Sequence, residues 1–257
     1  MKQFLIIPDI NNLEACENLV TSYHLGYEYN DFYKPDLLDD KTKTDAIIDT
    51  YLNHRKPDFC TMHGAFYDVI PFSADKQIQA VSNLRITQSL NQARQLNAQA
   101  VVFHTNYNPH LNHPEYISDW IDKNVRYWSQ KLTKYPDINI YIENMFETSP
   151  ELLVELSDRL CEHKNYGICL DYSHATLTHV PASIWMEKLA KYIKHIHIND
   201  NDLVRDLHLA WGDGKIDRFK FYECYSRYTP DTPIVIETNS IQDIQHSLDT
   251  LLGDKFL

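Results

Sequence analysis

Nine histidines and carboxylates carry the chemistry that this chain could do: His63, His104, Glu143, Asp171, His174, His197, Asp206, His208 and Glu237. Most of them close a short apolar run, as in Phe59-Cys60-Thr61-Met62 before His63, Ala100-Val101-Val102-Phe103 before His104, Ile138 to Ile142 before Glu143, Gly167 to Leu170 before Asp171 and Ile234-Val235-Ile236 before Glu237. One polar residue at a strand end is ordinary turn chemistry. The same ligand types recurring run after run imply convergence on one centre. Imidazole and carboxylate without thiolate suit a divalent metal, Zn²⁺ or Mn²⁺, and Asp206-x-His208 lets one extended segment turn two ligands to the same side. The expected cofactor is roughly one to three such ions.

The elements that must position these residues alternate along the whole chain. Apolar, β-branched runs predict strands near 3–7, 25–29, 59–63, 100–104, 138–143, 167–171, 194–198 and 233–237. Helical patterns lie between and after them, near 12–23, 41–54, 75–97, 115–135, 149–163, 182–192, 216–228 and 240–252. Ser73-Ala74-Asp75 and Thr148-Ser149-Pro150-Glu151 read as helix starts. Eight β/α units in 257 residues, uninterrupted by a linker, predict an α/β fold, a single-domain (β/α)₈ TIM barrel over 1–257, whose chemistry sits at the carboxyl ends of the strands. The rival, a doubly wound open sheet, would favour a Gly-rich phosphate turn, but the chain has only 6 glycines and no G-x-G-x-x-G.

Composition narrows the partners. A formal charge of −12, from 36 acidic against 24 basic residues, repels polyanions, so nucleic acid is disfavoured. The 5 cysteines form no C-x-x-C pair, which suggests reduced, mostly buried thiols. Phe4-Leu5-Ile6-Ile7 is too short for a signal peptide or a membrane span, so a soluble, cytoplasmic protein is expected. Homo-oligomerisation through outer helices is possible for such a barrel.

The segments Ile140-Tyr141-Ile142-Glu143-Asn144, Cys169-Leu170-Asp171-Tyr172-Ser173-His174, His195-Ile196-His197-Ile198-Asn199-Asp200, Asp206-Leu207-His208, Gly212-Asp213-Gly214-Lys215-Ile216-Asp217 and Ile236-Glu237-Thr238 resemble the xylose isomerase-like TIM-barrel superfamily. That superfamily holds both sugar isomerases and epimerases and the endonuclease IV type of AP endonuclease (family 2). The endonuclease resemblance implies His63, His104 and Glu143 on one metal, Glu143 bridging to a second held by Asp171, His197 and Glu237, and a third on His174, Asp206 and His208. The sugar-enzyme resemblance implies one ion on Glu143, Asp171, His197 and Glu237, with Glu143 and Glu237 as the catalytic pair that moves a proton on the substrate. There the other histidines contact substrate hydroxyls or support the ligands.

Ile7-Pro8-Asp9-Ile10 lacks the His and Ser-Gly-rich loop typical of the endonucleases, and no loop carries wedges for opening a duplex. The expectation is therefore a metal-dependent isomerase or epimerase of a small carbohydrate or sugar phosphate. The alternative is a two- or three-zinc phosphoesterase acting on a small phosphoester or, less in keeping with the charge, abasic DNA. Further substrate contacts are expected from Glu28, Tyr67, Tyr107 and Trp211 near strand ends, and from Arg205 and Lys215, with Arg218, on the loop after the seventh strand, where a sugar phosphate could be reached. His110 and His113 are candidates for the rim. The other histidines outside the nine, His195 among them, are expected at the surface, and Lys188, Lys191 and Lys194 are expected to form a solvated helix face.

Overall fold

The computed structural model describes residues 2–238 and 240–257. Eight parallel strands, β1 (Phe4–Ile6), β2 (Gly26–Tyr29), β3 (Cys60–His63), β4 (Ala100–His104), β5 (Asn139–Glu143), β6 (Tyr166–Asp171), β7 (Ile193–Ile198) and β8 (Ile234–Ile236), pair in sequence order and close when β8 pairs β1. Most of their residues are buried, as expected of parallel strands covered by helices outside and by their own side chains inside. The surrounding helices are α1 (Leu13–Tyr23), α2 (Pro35–Asp39), α3 (Lys41–Asn53), α4 (Lys76–Leu96), α5 (Pro114–Lys134), α6 (Glu151–Leu160), α7 (Tyr172–Thr176), α8 (Ala182–Leu189), α9 (Arg218–Tyr228) and α10 (Ile241–Gly253).

Local chemistry sets the helix ends. The side chains of Asp40, Asp75, Asp217 and Ser240 each accept a backbone N–H from the first turn of α3, α4, α9 and α10, satisfying a donor that has no partner within the helix. Asn97 ends α4 in the left-handed conformation, which asparagine tolerates. On α5, Trp120, Ile121, Asn124, Trp128 and Leu132 recur at helical spacing and form the buried stripe. Around Thr148-Ser149-Pro150 the expected start is modified: α6 begins at Glu151 with Pro150 in the capping position and no side-chain cap. The short helices α2 and α7 carry too few residues to show a period and were not expected.

Register decides which strand ends meet. His104 is level with Glu143, and Asp171 with His197. Between β6 and β7 the pairing passes from Ile168–Ile193 to Cys169–His195, leaving Lys194 as an extra, exposed residue in β7. Lys188, Lys191 and Lys194 are all exposed, but Lys194 lies on β7 and not on a shared helix face, and the irregularity brings His195 and His197 into line with Cys169 and Asp171. Lys188 and Lys191 instead pair with Glu151 and Asp158.

Gly26 lets β2 pass close to its neighbours. A Cβ there would lie 2.5 Å from the Phe59 carbonyl oxygen and 2.9 Å from Leu5 Cγ, and the backbone cannot yield cheaply. Gly26→Ala is expected to lower the free energy of unfolding by about 1–3 kcal/mol, read from urea denaturation.

Candidate metal centre

All nine residues singled out in the sequence meet at the carboxyl mouth of the barrel. His63, His104, Glu143 and Asp171 are the last residues of β3, β4, β5 and β6, His197 is next to last in β7, and Glu237 follows β8 directly. His174 sits on α7, and Asp206 and His208 on the loop from β7 to α9. Three groups result, each with its ligand atoms within 4.8 Å of one another: His63, His104 and Glu143; Glu143, Asp171, His197 and Glu237; and His174, Asp206 and His208. Glu143 belongs to two of them. Its Oε2 lies 3.2 Å from His63 Nε2 and 3.4 Å from His104 Nε2, while its Oε1 lies 3.4 Å from His197 Nδ1.

The backbone aims the rings. His63 Nδ1 contacts the Gly64 carbonyl at 2.9 Å, His174 Nδ1 the Asn144 carbonyl at 2.9 Å and His208 Nδ1 the Glu237 carbonyl at 3.2 Å. A carbonyl only accepts, so each Nδ1 is the donor and each Nε2 is turned to the cluster. His208 takes a left-handed backbone (φ 49°) in doing so. Asp171 caps α7 through Oδ1, which accepts the His174 N–H at 2.7 Å, and Asn144 exchanges hydrogen bonds with the Asp171 backbone at 2.9 Å each. With Oδ1 committed, Oδ2 is left over. Asp171 Oδ2, His197 Nδ1 and Glu237 Oε2 are buried with no hydrogen-bond partner among the described residues.

Such orphaned atoms are costly unless something else meets them. A divalent cation fits: four N and O donors from fixed strand ends, three with a free ligand atom, suit Zn²⁺ or Mn²⁺. Without it, protons do the balancing. Burial pushes the Asp171 carboxyl up to about 7. Burial opposes the charge on His174 and His197, but Asp171, Asp206 and Glu143 at the first, and Cys169 with Glu28, Glu143 and Glu237 at the second, prevail and hold both imidazoles well above their usual range. His208 is likewise carried against its burial to about 10 by Asp206 and Glu237. Glu143, although buried, is held well below the carboxylate range by His197 and His104.

Two concavities meet at this mouth. The first, about 260 Å³, is lined by His63, His104, His174, Asp206, His208 and Glu237 together with Tyr33, Phe66, Tyr67, Asn30, Ile7 and Met145. Glu143 is buried and not among its lining residues. Tyr33 and Phe66 stack at 4.9 Å and 13°, and Phe66 meets His63 at 5.3 Å and His104 at 5.2 Å. Sequence reasoning passed over Tyr33 and Phe66; the only signal was that Phe66 follows His63 by three residues. The second concavity, about 620 Å³, shares Met145, His174 and Asp206 with the first and adds Tyr107, His110 and Glu147. Tyr67 thus lines the first concavity, and Tyr107 and His110 the second.

Other expectations are corrected. Glu28 lines neither concavity as a substrate contact: it points into the barrel beneath the cluster, where it meets Thr61, His195 and His197. His195 is fully buried beside it, not on the surface; its two-residue spacing from His197 was the signal, since alternate residues of a strand share a face. Trp211 is fully buried and donates its indole N–H to Tyr222, so it packs under α9. Arg205 is exposed and paired with Asp202, Lys215 is exposed, and Arg218 pairs with Asp254; none of them lines the cleft. The extra cations proposed for a phosphate are therefore not at the site. His113 is the N-cap residue of α5 and lines neither concavity.

Comparison with known proteins agrees with this fold. A family model for the xylose isomerase-like TIM barrel matches residues 23–252. The uncharacterized protein MJ1311 of Methanocaldococcus jannaschii is 30% identical over 201 residues, covering 74% of this chain and 68% of its own. Among solved structures, the TTHB071 protein of Thermus thermophilus, soaked with ZnCl₂, superposes with a TM-score of 0.78 at 21% identity over 98% of this chain and 97% of its own. A D-tagatose 3-epimerase-like protein gives 0.78 at 24% over 98% and 96%. The IOLI protein with a bound zinc atom gives 0.72 at 17% over 100% and 99%. At these identities the structures speak for the fold.

The raised His208 gives the metal-free chain a pH signature. Its pairing with Asp206 and Glu237 stabilises fully below the ordinary imidazole value of 6.5 and is lost as pH rises to about 10. In EDTA the urea midpoint is expected to fall between pH 7 and pH 10, and to fall less steeply in His208→Asn.

Proposed function

The chain belongs to the xylose isomerase-like TIM-barrel family, and on that premise we propose that it is a metal-dependent isomerase or epimerase of a small carbohydrate. Glu143, Asp171, His197 and Glu237 would hold one Zn²⁺ or Mn²⁺ ion, and Glu237 and Glu143 would move the proton. The supporting observation is the convergence of these four ligand atoms from β5, β6, β7 and the end of β8, three of them buried without a partner. A bound divalent cation polarises a carbonyl and an adjacent hydroxyl of the sugar, making the neighbouring C–H more acidic.

The chain's own residues do the rest. Glu237 lines the cleft and offers a carboxylate to a substrate carbon, while Glu143, buried and not among the lining residues, would take its share of the proton transfer only with the substrate seated against the ligand cluster. Proton transfer needs such a carboxylate within hydrogen-bonding reach of the substrate. His63, His104, His174 and His208 line the same cleft, where their Nε2 atoms can meet hydroxyls. Phe66 and Tyr33 supply an apolar wall that limits water. A cleft of about 260 Å³ suits a monosaccharide-sized ligand better than a polymer. Cytoplasmic residence accords with five free cysteines, and no helix among the described residues is long and apolar enough to cross a membrane.

One observation favours a second reading. Both oxygens of Glu143 are engaged, one toward His63 and His104 and the other toward His197, which is how a bridging ligand sits between two ions. With His174, Asp206 and His208 as a further set, the centre could hold two or three zincs and hydrolyse a small phosphoester.

Metal stoichiometry separates the two. Plasma mass spectrometry on protein purified without added metal is expected to find one ion per chain, retained in Asp206→Ala; three zincs, with one lost in that variant, would transfer the assignment to the hydrolase. Incubated with aldoses, ketoses and their phosphates in D₂O, the protein is expected to place deuterium at a sugar carbon. Glu237→Gln is expected to slow this by about 10²–10⁴-fold with the fold intact by circular dichroism.

A further inference from the structure

Glu28 is a carboxylate without exposed surface, one layer below the cluster, in a barrel interior where an unpaired charge is very costly. Its Oε2 accepts from Thr61 Oγ1 at 2.7 Å and lies 2.8 Å from His195 Nε2. Its Oε1 lies 2.8 Å from His197 Nε2, a short contact off the ideal hydrogen-bond line. Each oxygen thus faces its own imidazole.

His197 differs from the other rings in what aims it. His63, His174 and His208 are each anchored at Nδ1 by a backbone carbonyl and present Nε2. His197 is reversed: Nδ1 lies 3.4 Å from both Glu143 Oε1 and Glu237 Oε2, and Nε2 faces the Glu28 side chain. We infer that Glu28 is a positioning residue: it keeps the His197 proton on Nε2, so that the Nδ1 lone pair is presented to the ion. Thr61 and His195 hold the carboxylate's other oxygen and stop it from rotating away. A carboxylate behind a ligating imidazole fixes its tautomer and strengthens it as a ligand. The arrangement also explains why β7 needs two histidines, since one imidazole serves the ion and the other pins the carboxylate that orients it.

The inference rests on the proposed metal site, and the experiment keeps the two apart. Metal-free wild type and the isosteric Glu28→Gln are titrated with zinc against a competing chelator and with cobalt(II) by visible absorption. The wild type is expected to bind, and Glu28→Gln to bind roughly 10- to 100-fold more weakly with shifted cobalt bands. A variant equal to wild type in affinity and spectrum would overturn the role of Glu28 and leave the metal site standing. A wild type that takes up neither metal would overturn the proposed function and this inference with it. Should the variant fail to fold, ¹⁵N-histidine spectra of the zinc-loaded wild type decide. The His197 signals, identified by their loss in His197→Asn, are expected to show a protonated Nε2 and a metal-bound Nδ1; metal on Nε2 would overturn the inference, as it would mean that Glu28, His195 and His197 themselves hold an ion.

Discussion

The constraint on which the mouth of this barrel depends is the cost of burying charge. Glu28, Glu143, Asp171 and Glu237 are carboxylates with 8% exposure or less, packed among imidazoles in the barrel interior. Taken from water singly, each would be expelled or neutralised. They persist because every one has a cationic or potentially cationic neighbour, and the charges must balance locally. Raised histidines and a raised Asp171 do this with protons; a divalent cation would do it with fewer particles and better geometry. Proton and metal therefore compete for the same atoms.

The fold meets the constraint through rigid anchors. Six of the nine candidate ligands end paired strands or sit next to such ends, where the backbone is fixed on both sides, and the second ring nitrogen or carboxylate oxygen of His63, Asp171, His174, His197 and His208 already meets a carbonyl, a helix cap or Glu28. Commitment of one atom leaves the other pointing inward in a defined state. The extra residue in β7 belongs to the same logic, because without it the strand's two histidines would lose their level with Cys169 and Asp171. Preorganisation of this kind favours a bound ion because few side-chain rotamers remain to be frozen.

Glu143 couples the parts of the centre. One oxygen faces His63 and His104, the other faces His197, so the occupancy of one ligand set alters the field at its neighbour. The two chemistries open to the family differ here in how many sets are filled. The neighbouring concavity of about 620 Å³, joined to the cleft through Met145, His174 and Asp206, leaves room for a substrate that extends beyond its reacting end.

Much of this was legible in the linear chain. The barrel follows from eight apolar runs separated by amphipathic stretches, and the strand limits agree with expectation to about a residue because most positions of these buried parallel strands are apolar and four of the strands end at a histidine or carboxylate. Six of the nine clustered residues were legible for the same reason: a histidine or carboxylate at a strand end marks both the boundary and the mouth. What the sequence could not carry was depth and direction along the barrel axis. His195 read as a surface residue, and Glu28, Trp211, Arg205 and Lys215 as pocket residues, because their fates depend on strand register, on the irregularity at Lys194 and on ion pairs with Asp202 and packing with Tyr222. Periodicity reports which face a residue occupies, and that is a local property. Which residues from eight strands share one layer of a closed barrel is fixed by their mutual stagger, and that exists only once the chain has closed on itself.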